Sequence, residues 1–218
     1  FDAYNTTIDN NNITNNNNGI FIDATIGKYY GYLNITNNHI INNKGGRELG
    51  GIYYYTENRL NPPENMNIIN NTITNNSGTG IFVQMLSYNF IQIYAKLGII
   101  NNLVKNNTGY GIYLGTNYDT NNVIFTNNTI INSGGYGLYL SSFNGGVFND
   151  SYFINNSGNG IYADYSNNNL FYNNYFETNT NHMYYSSNMW NTTTRTGPNI
   201  IRGPSIGGNY YSDYTGCD

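Results

Sequence analysis

Seven aromatic residues recur along the sequence at a spacing that could build a surface for binding sugars. Each is the second residue of a short apolar triplet that in most copies follows a glycine, as in Gly80-Ile81-Phe82-Val83. Tyrosine and phenylalanine rings present flat apolar faces, and such faces can stack on sugar rings. A fold that aligns them would make a carbohydrate-binding stripe of Phe21, Tyr53, Phe82, Tyr113, Tyr139, Tyr162 and Tyr184.

The stripe has a second interpretation, because aromatic side chains on adjacent strands also stabilise one another by packing. The sequence leaves both interpretations open. If the stripe binds sugars, alanine at Tyr53, Tyr113 and Tyr139 should abolish binding. The candidate set also includes Tyr55 and Gln84, each two residues after a stripe position.

Charged residues make up only 9% of the chain, yet several surround the segment 51–55. Arg47 precedes this segment, and Glu57 and Arg59 follow it, in two insertions of the repeat. Loops mounted on a rigid scaffold often carry function, so these three residues join the candidate carbohydrate-binding set. A mixed-sign loop is also typical of a solvated surface.

The carboxylates do not form the pairs that polysaccharide hydrolysis requires. Glycosidases hold two carboxyl groups within about 10 Å of each other. Asp23 and Asp164 both stand four residues after a triplet glycine, but five repeats apart. At roughly 4.8 Å per repeat, about 24 Å would separate them. We therefore predict no catalytic residues, and enzymatic activity is not favoured.

The residues that could bind a metal are scattered as well. Copper favours histidine, methionine and cysteine ligands. The chain has His39, His182, Cys217 and four methionines, without a His-x-His or Met-x-x-Met cluster. We predict no metal site and no cofactor.

The elements that must position the stripe are short strands. The triplets begin at intervals of 32, 29, 31, 26, 23 and 22 residues. Before each triplet stands a second apolar element flanked by asparagine, as in Asn71-Thr72-Ile73-Thr74-Asn75, and a third appears at Ile99-Ile100. These runs are too short for helices, and asparagine, glycine, threonine and tyrosine form helices poorly.

Strands that recur once per repeat stack in parallel. Asparagine tolerates left-handed turns, and its stacked side chains can hydrogen-bond from coil to coil. The sequence therefore predicts an all-β, right-handed parallel β-helix of about seven coils with asparagine ladders at the turns. We assign residues 1–190 to these repeats and 191–218 to a C-terminal tail or cap.

The composition limits the partners. A net charge of −4 with only 8 Lys+Arg argues against nucleic acid. No apolar run approaches the roughly eighteen residues of a membrane span. The sequence begins at Phe1 inside what already resembles a repeat, so we expect a fragment of a larger protein with further domains. The expected location is extracellular or on the cell surface, or in a periplasm-like space.

Two parts of the chain resemble a known family. Coils such as those at residues 71–75 and 128–132, within residues 8–190, resemble the NosD-like and carbohydrate-binding/sugar-hydrolysis (CASH) β-helix repeats of archaeal surface proteins. The tail segment Gly207-Gly208-Asn209-Tyr210-Tyr211-Ser212-Asp213-Tyr214 resembles the Gly-Asn-Tyr-Trp-Ser-Asp-Tyr segment that closes many of those domains, with Tyr211 in place of Trp. The resemblance implies the β-helix fold and a surface location.

Three functions follow from these observations. The preferred one is a non-catalytic module for adhesion, scaffolding or glycan binding. The second is a lyase or hydrolase for acidic polysaccharide, with its site near the loops at 44–64. The third is a NosD-like accessory protein in copper maturation.

Overall fold

The computed structural model describes residues 3–25, 29–57, 63–86, 96–117, 122–181, 183–184 and 187–215. Within them the chain winds through three parallel sheets, here called A, B and C, and visits each sheet once per coil. The predicted parallel β-helix is confirmed, and the strand order gives seven coils.

The strands are short because each coil turns between sheets after a few residues. Sheet A contains Ala3–Asp9, Tyr29–Thr36, Asn65–Ile69, Lys96–Ile100, Val123–Thr126, Val147–Asn149 and Leu170–Tyr172. Sheet B contains Asn12–Thr14, His39–Ile41, Thr72–Thr74, Leu103–Lys105, Thr129–Ile131, Tyr152–Ile154, Tyr175–Glu177 and Tyr210–Tyr211. Sheet C contains Ile20–Asp23, Ile52–Glu57, Ile81–Leu86, Ile112–Thr116, Leu138–Ser141, Ile161–Asp164 and Met183–Tyr184.

Two further elements lie outside these sheets. A helix of one turn, Gly46–Leu49, sits in the insertion that precedes the sheet C strand of coil two. An antiparallel pair in the tail joins Arg195–Thr196 to Ser205–Ile206. No helix among the described residues is long and apolar enough to cross a membrane.

The core is built from columns of identical or similar apolar side chains. Alternate residues of each strand point inward, so a side chain meets its counterpart in the next coil. In sheet A, a fully buried column of isoleucine changes to phenylalanine as the coils shorten; it runs Ile35, Ile68, Ile99, Phe125, Phe148 and Phe171. Each such burial contributes roughly 1.5–3 kcal/mol.

The turns are held by asparagine, as predicted. The residue that follows each of the first seven sheet B strands adopts a left-handed conformation, with φ between 50° and 59°, and in most coils this residue is asparagine, as at Asn42 and Asn75. Asparagine enters this region more easily than other side chains with a Cβ atom. Thr178 occupies the same position in coil seven, at φ 50°.

Two buried ladders cross-link the coils. Between sheets A and B, the Asn71 backbone N and Nδ2 both donate to Asn102 Oδ1, at 3.0 and 3.1 Å. The same Nδ2 donates to the Ile35 carbonyl of the preceding coil at 2.8 Å. The first ladder comprises Asn11, Asn38, Asn71, Asn102, Asn128, Ser151, Asn174 and Asn209. The second, between sheets B and C, comprises Asn16, Asn43, Asn76, Asn107, Ser133, Asn156 and Asn179, and it is interrupted between Asn107 and Ser133, whose Oγ has no hydrogen-bond partner in the described structure.

Candidate functional site

The predicted aromatic stripe exists as a single column on sheet C. Parallel pairing places each stripe residue directly beside the next, even where insertions separate them in sequence. The side chains of the stripe residues from Phe21 to Tyr162 alternate with the buried core residues, so they lie on the outer face of the sheet. The paired positions are Phe21, Tyr53, Phe82, Tyr113, Tyr139, Tyr162 and Tyr184.

The first four rings of the stripe stack on one another rather than presenting their faces to solvent. Phe21, Tyr53, Phe82 and Tyr113 are spaced by 5.0, 4.9 and 4.5 Å, with interplanar angles of 6–8°. Their faces therefore point along the stack, and the faces between successive rings are covered by the neighbouring rings. Phe82, in the middle, is only 5% exposed, whereas Phe21 at the end is 49% exposed. The faces between these four rings are therefore not available for stacking on a sugar.

Tyr139 interrupts the stack. Its ring lies 5.2 Å from Tyr113 and 5.2 Å from Tyr162, but at angles of 78° and 72° to them. An edge of Tyr139 thus meets the face of each neighbour, an arrangement that aromatic pairs favour. Because its plane is nearly perpendicular to the stacked rings, the faces of Tyr139 point across the stripe instead of along it.

A second aromatic column, which the sequence analysis missed, explains this orientation. Tyr110 and Tyr136 occupy the position just before the triplet glycine and stack at 5.6 Å, and Tyr136 stacks on Tyr162 at 4.6 Å. Both rings lean over glycines of the next coil: a Cβ atom at Gly135 would lie 2.7 Å from Tyr110, and one at Gly158 would lie 2.4 Å from Tyr136. Tyrosine directly before the triplet glycine in consecutive repeats was the available sequence signal.

A groove of about 430 Å³ opens beside Tyr139 and crosses coils three to five. Its volume falls in the range of about 300 to 1,000 Å³ that is typical of small-ligand sites. Backbone at the corner between sheets B and C lines one side of the groove through Gly109, Gly134 and Gly135. Aromatic rings line the groove as well, namely Phe82, Tyr110, Tyr113 and Tyr139.

The polar groups of the groove are uncharged. Gln84 and Thr108 line it, and their side chains are half-buried and exposed respectively. The Tyr139 hydroxyl donates a hydrogen bond to Asp164 Oδ2 at 3.2 Å. Burial, and then the Asp164 carboxylate, raise the pKa of Tyr139, so its hydroxyl keeps its proton at neutral pH.

The column beside the stripe contains the acids that the sequence had placed there. It runs Asp23, Tyr55, Gln84, Gly115, Ser141 and Asp164 in register. Asp23 and Asp164 stand at its opposite ends, as expected, five coil spacings apart. At Gly115 a Cβ atom would lie 2.8 Å from the Tyr113 hydroxyl, so this glycine leaves room for the Tyr113 ring.

Among the three charged candidates the side chain of Glu57 is described, and it does not line the groove. The helix that carries Arg47 precedes the strand Ile52–Glu57, and the side chain of Arg47 is not among those described. Glu57 ends that strand and accepts a hydrogen bond from the Tyr55 hydroxyl at 2.8 Å. Arg59 lies outside the described residues. Of the predicted set, the structure brings together Phe82, Gln84, Tyr113 and Tyr139 at the groove, while Phe21, Tyr53 and Tyr162 extend the stripe on either side.

The residues of the types that bind copper do not form a site in the part of the chain that the structure describes. No group of three or more His, Cys, Asp or Glu residues is found there that could hold a metal ion. His39 lies exposed on the outer face of sheet B, and Met66 and Met85 are buried in the core at 1% exposure. His182 and Cys217 lie outside the described residues.

The fold and the repeat define a right-handed parallel β-helix protein. Residues 1–92 match the model of the right-handed β-helix region. Residues 49–216 match the NosD model, described as a periplasmic copper-binding protein, and the chain belongs to this family. No curated protein and no solved structure matches the chain. A periplasmic family agrees with the expected location outside the cytoplasm.

Proposed function

We propose that this chain is a non-catalytic β-helix module of the periplasm or cell surface that binds carbohydrate in the groove beside Tyr139. The observation that carries the proposal is the orientation of this ring. Among the stripe residues whose side chains are described, Tyr139 is the ring turned across the stripe. The other rings lie with their planes along one direction, since Phe21, Tyr53, Phe82 and Tyr113 cover one another's faces and Tyr162 stacks on Tyr136. The groove beside it combines aromatic walls with amide and hydroxyl groups, the combination that sugar binding requires.

The regular coils also support an adhesive or scaffolding role for the rest of the molecule. Buried ladders and stacked rings hold each coil to the next, so groups at the groove are positioned by a rigid frame. Sites built on strands of a rigid scaffold hold their geometry better than sites on loops. A preorganised surface of this kind loses little conformational entropy when it binds an extended partner.

Hydrolysis of the bound sugar is not part of the proposal. Asp164 is the carboxylate hydrogen-bonded at the groove, and Asp23 of the same column lies five coils away, about 24 Å by coil spacing. That separation exceeds the distance of about 10 Å that retaining and inverting glycosidases use. Release of reducing ends from any polysaccharide by the purified chain would contradict a non-catalytic role.

Copper binding is not proposed either, although the family is described as copper-binding. The described residues do not fit a copper ion, because His39 is exposed among amide side chains and Met66 and Met85 face the core. Met189 is exposed beside Leu170 in coil seven, five coils from His39. Dialysis of the chain against Cu²⁺ and then against metal-free buffer tests this. Retention of copper in stoichiometric amount would favour the copper-maturation function instead.

Binding to a panel of soluble polysaccharides, followed by calorimetry, tests the proposed function directly. We expect Tyr139→Ala to weaken binding by at least about tenfold, since a loss of 1.4 kcal/mol corresponds to that factor. Tyr214→Ala is the matched control, because Tyr214 is 62% exposed in the tail and does not line the groove. Equal loss in both variants, or no binding by the unaltered chain, would rule out the groove as a carbohydrate site.

A further inference from the structure

We propose that the groove selects uncharged glycan chains and rejects uronic acids, an inference that rests on the proposed function. The described strands of sheet C carry the carboxylates Asp23, Glu57 and Asp164 and no lysine or arginine. A ligand on this face therefore meets negative charge that no cation of these strands offsets.

Asp164 is the carboxylate that matters most. It accepts the hydrogen bond from Tyr139, whose ring lines the groove. Only the tyrosine hydroxyl therefore separates the charge of Asp164 from the site. Like charges brought together at an interface repel each other and so suppress binding of the wrong partner. A uronate bound against Tyr139 would stand within the screening length of about 8 Å at physiological salt, so its repulsion would be felt.

The hydrogen bond also determines what Tyr139 can offer a sugar. Its proton is directed to Asp164, so its oxygen faces other partners as an acceptor. An acceptor suits a sugar hydroxyl, which can donate, and does not suit a carboxylate, which can only accept. Gln84 and Thr108 can both donate and accept, which again matches hydroxyl groups without requiring charge.

Recognition of acidic sugars usually relies on arginine or lysine, whose donors match the carboxylate. The described cations do not line the groove: Lys96 lies on sheet A, Lys105 lies on sheet B, and Arg195 and Arg202 belong to the tail. Lys44 is exposed at the corner between sheets B and C, two coils before Thr108, and is not among the lining residues. The groove thus lacks, among its lining residues, the groups that would hold a uronate. This opposes the second function considered from the sequence, in which the substrate was an acidic polysaccharide.

The test compares neutral hexose oligomers with uronic acid oligomers of equal length, using calorimetry at low and at physiological salt. We expect the neutral oligomers to bind at least about tenfold more tightly at low salt, and this ratio to shrink as salt screens the carboxylates. The affinity for the neutral oligomers should itself change little with salt. Uronate binding that equals or exceeds neutral binding would overturn the selectivity while leaving carbohydrate binding intact.

A variant separates charge from shape. Asp164→Asn keeps a side chain of the same size that can accept from Tyr139, but removes the charge. We expect it to lower the ratio of neutral to uronate affinity several-fold, mainly through tighter uronate binding. Glu177→Gln removes a carboxylate from the outer side of sheet B and is the matched control, with an unchanged ratio. If neither oligomer binds any variant, the proposed function fails and the selectivity fails with it; an unchanged ratio in Asp164→Asn overturns the selectivity alone.

Discussion

Asn209 of the tail accepts two hydrogen bonds from Asn174, one from its backbone N at 3.1 Å and one from its Nδ2 at 3.0 Å. The tail therefore adds an eighth rung to the first ladder. Tyr210–Tyr211 extends sheet B, and Tyr211 stacks on Phe176 at 5.3 Å. Trp190 stacks on Phe171 at 4.3 Å in the same way. These contacts lie at the end of the core, and we propose that the tail caps the solenoid.

Replacing Asn209 with alanine should destabilise the solenoid by about 2 kcal/mol, because the fully buried Asn174 loses acceptors for its backbone N and Nδ2. The carbonyls of Phe171 and Trp190 also lose a donor. Urea unfolding measures the change. Asn191→Ala, at an exposed position of the same tail, is the control and should stay within about 0.5 kcal/mol. Equal effects of the two substitutions would show that Asn209 does not act as a rung.

Replacing Ser133 with asparagine should stabilise the chain by about 1 kcal/mol. Ser133 occupies an asparagine position of the second ladder, and its Oγ is buried with no hydrogen-bond partner in the described structure. Gly111 packs against it just as Gly80 packs against Asn107 and Gly137 against Asn156, so space for the larger amide exists.

Ser151→Asn provides the matched comparison for Ser133. Ser151 holds the equivalent place in the first ladder, where its Oγ donates to the Asn149 carbonyl at 2.9 Å and accepts from the Asn128 N at 3.1 Å. Ser151→Asn would replace hydrogen bonds that already exist, so it should raise the stability less than Ser133→Asn does. We expect the urea midpoint to rise more for Ser133→Asn; the reverse order would contradict the role assigned to the unpartnered hydroxyl.

The packing role of the stripe predicts unequal effects of two phenylalanine substitutions. Phe82→Ala should cost about 3–5 kcal/mol, because this ring is 5% exposed and sandwiched between Tyr53 and Tyr113. Phe21→Ala should cost less than about 1 kcal/mol, because Phe21 is 49% exposed and stacks on one neighbour, Tyr53. Equal, small losses would mean that the stack contributes little to stability.

The register of the stripe could be predicted from sequence because pairing in a solenoid depends on position within the repeat. Phe21 and Tyr53 pair across 32 residues as regularly as Tyr139 and Tyr162 pair across 23. Insertions between strands change the length of a coil and leave the strand positions aligned. The same logic placed Asp23 and Asp164 in one column.

Which asparagine of an adjacent pair turns inward could not be predicted. In Asn75-Asn76 the first residue adopts the left-handed turn, at φ 57°, and the second is buried in the second ladder. Both positions are asparagine, so residue type does not distinguish them. The orientation of Tyr139 could not be predicted from the sequence either, because it is set by Tyr110 and Tyr136, which pack over glycines of neighbouring coils.

The cap also predicts how stability depends on alkaline pH. Burial raises the pKa of Tyr211 to about 12, while an unfolded tyrosine has a pKa of about 10. The folded state thus favours the neutral phenol, and the stability this contributes is complete below about pH 10. Above that pH the unfolded chain loses its proton first, so the contribution declines until the folded pKa of about 12 is reached.

Comparison with Tyr211→Phe isolates this contribution, because the remaining tyrosines titrate in both proteins and largely cancel. We expect the difference in unfolding free energy between the unaltered chain and the variant to be constant from about pH 8 to 10 and to fall between about pH 10 and 12. Urea unfolding at a series of pH values measures it. A difference that stays flat through that window would mean that Tyr211 is not buried against Phe176, and the tail would then not cap the core.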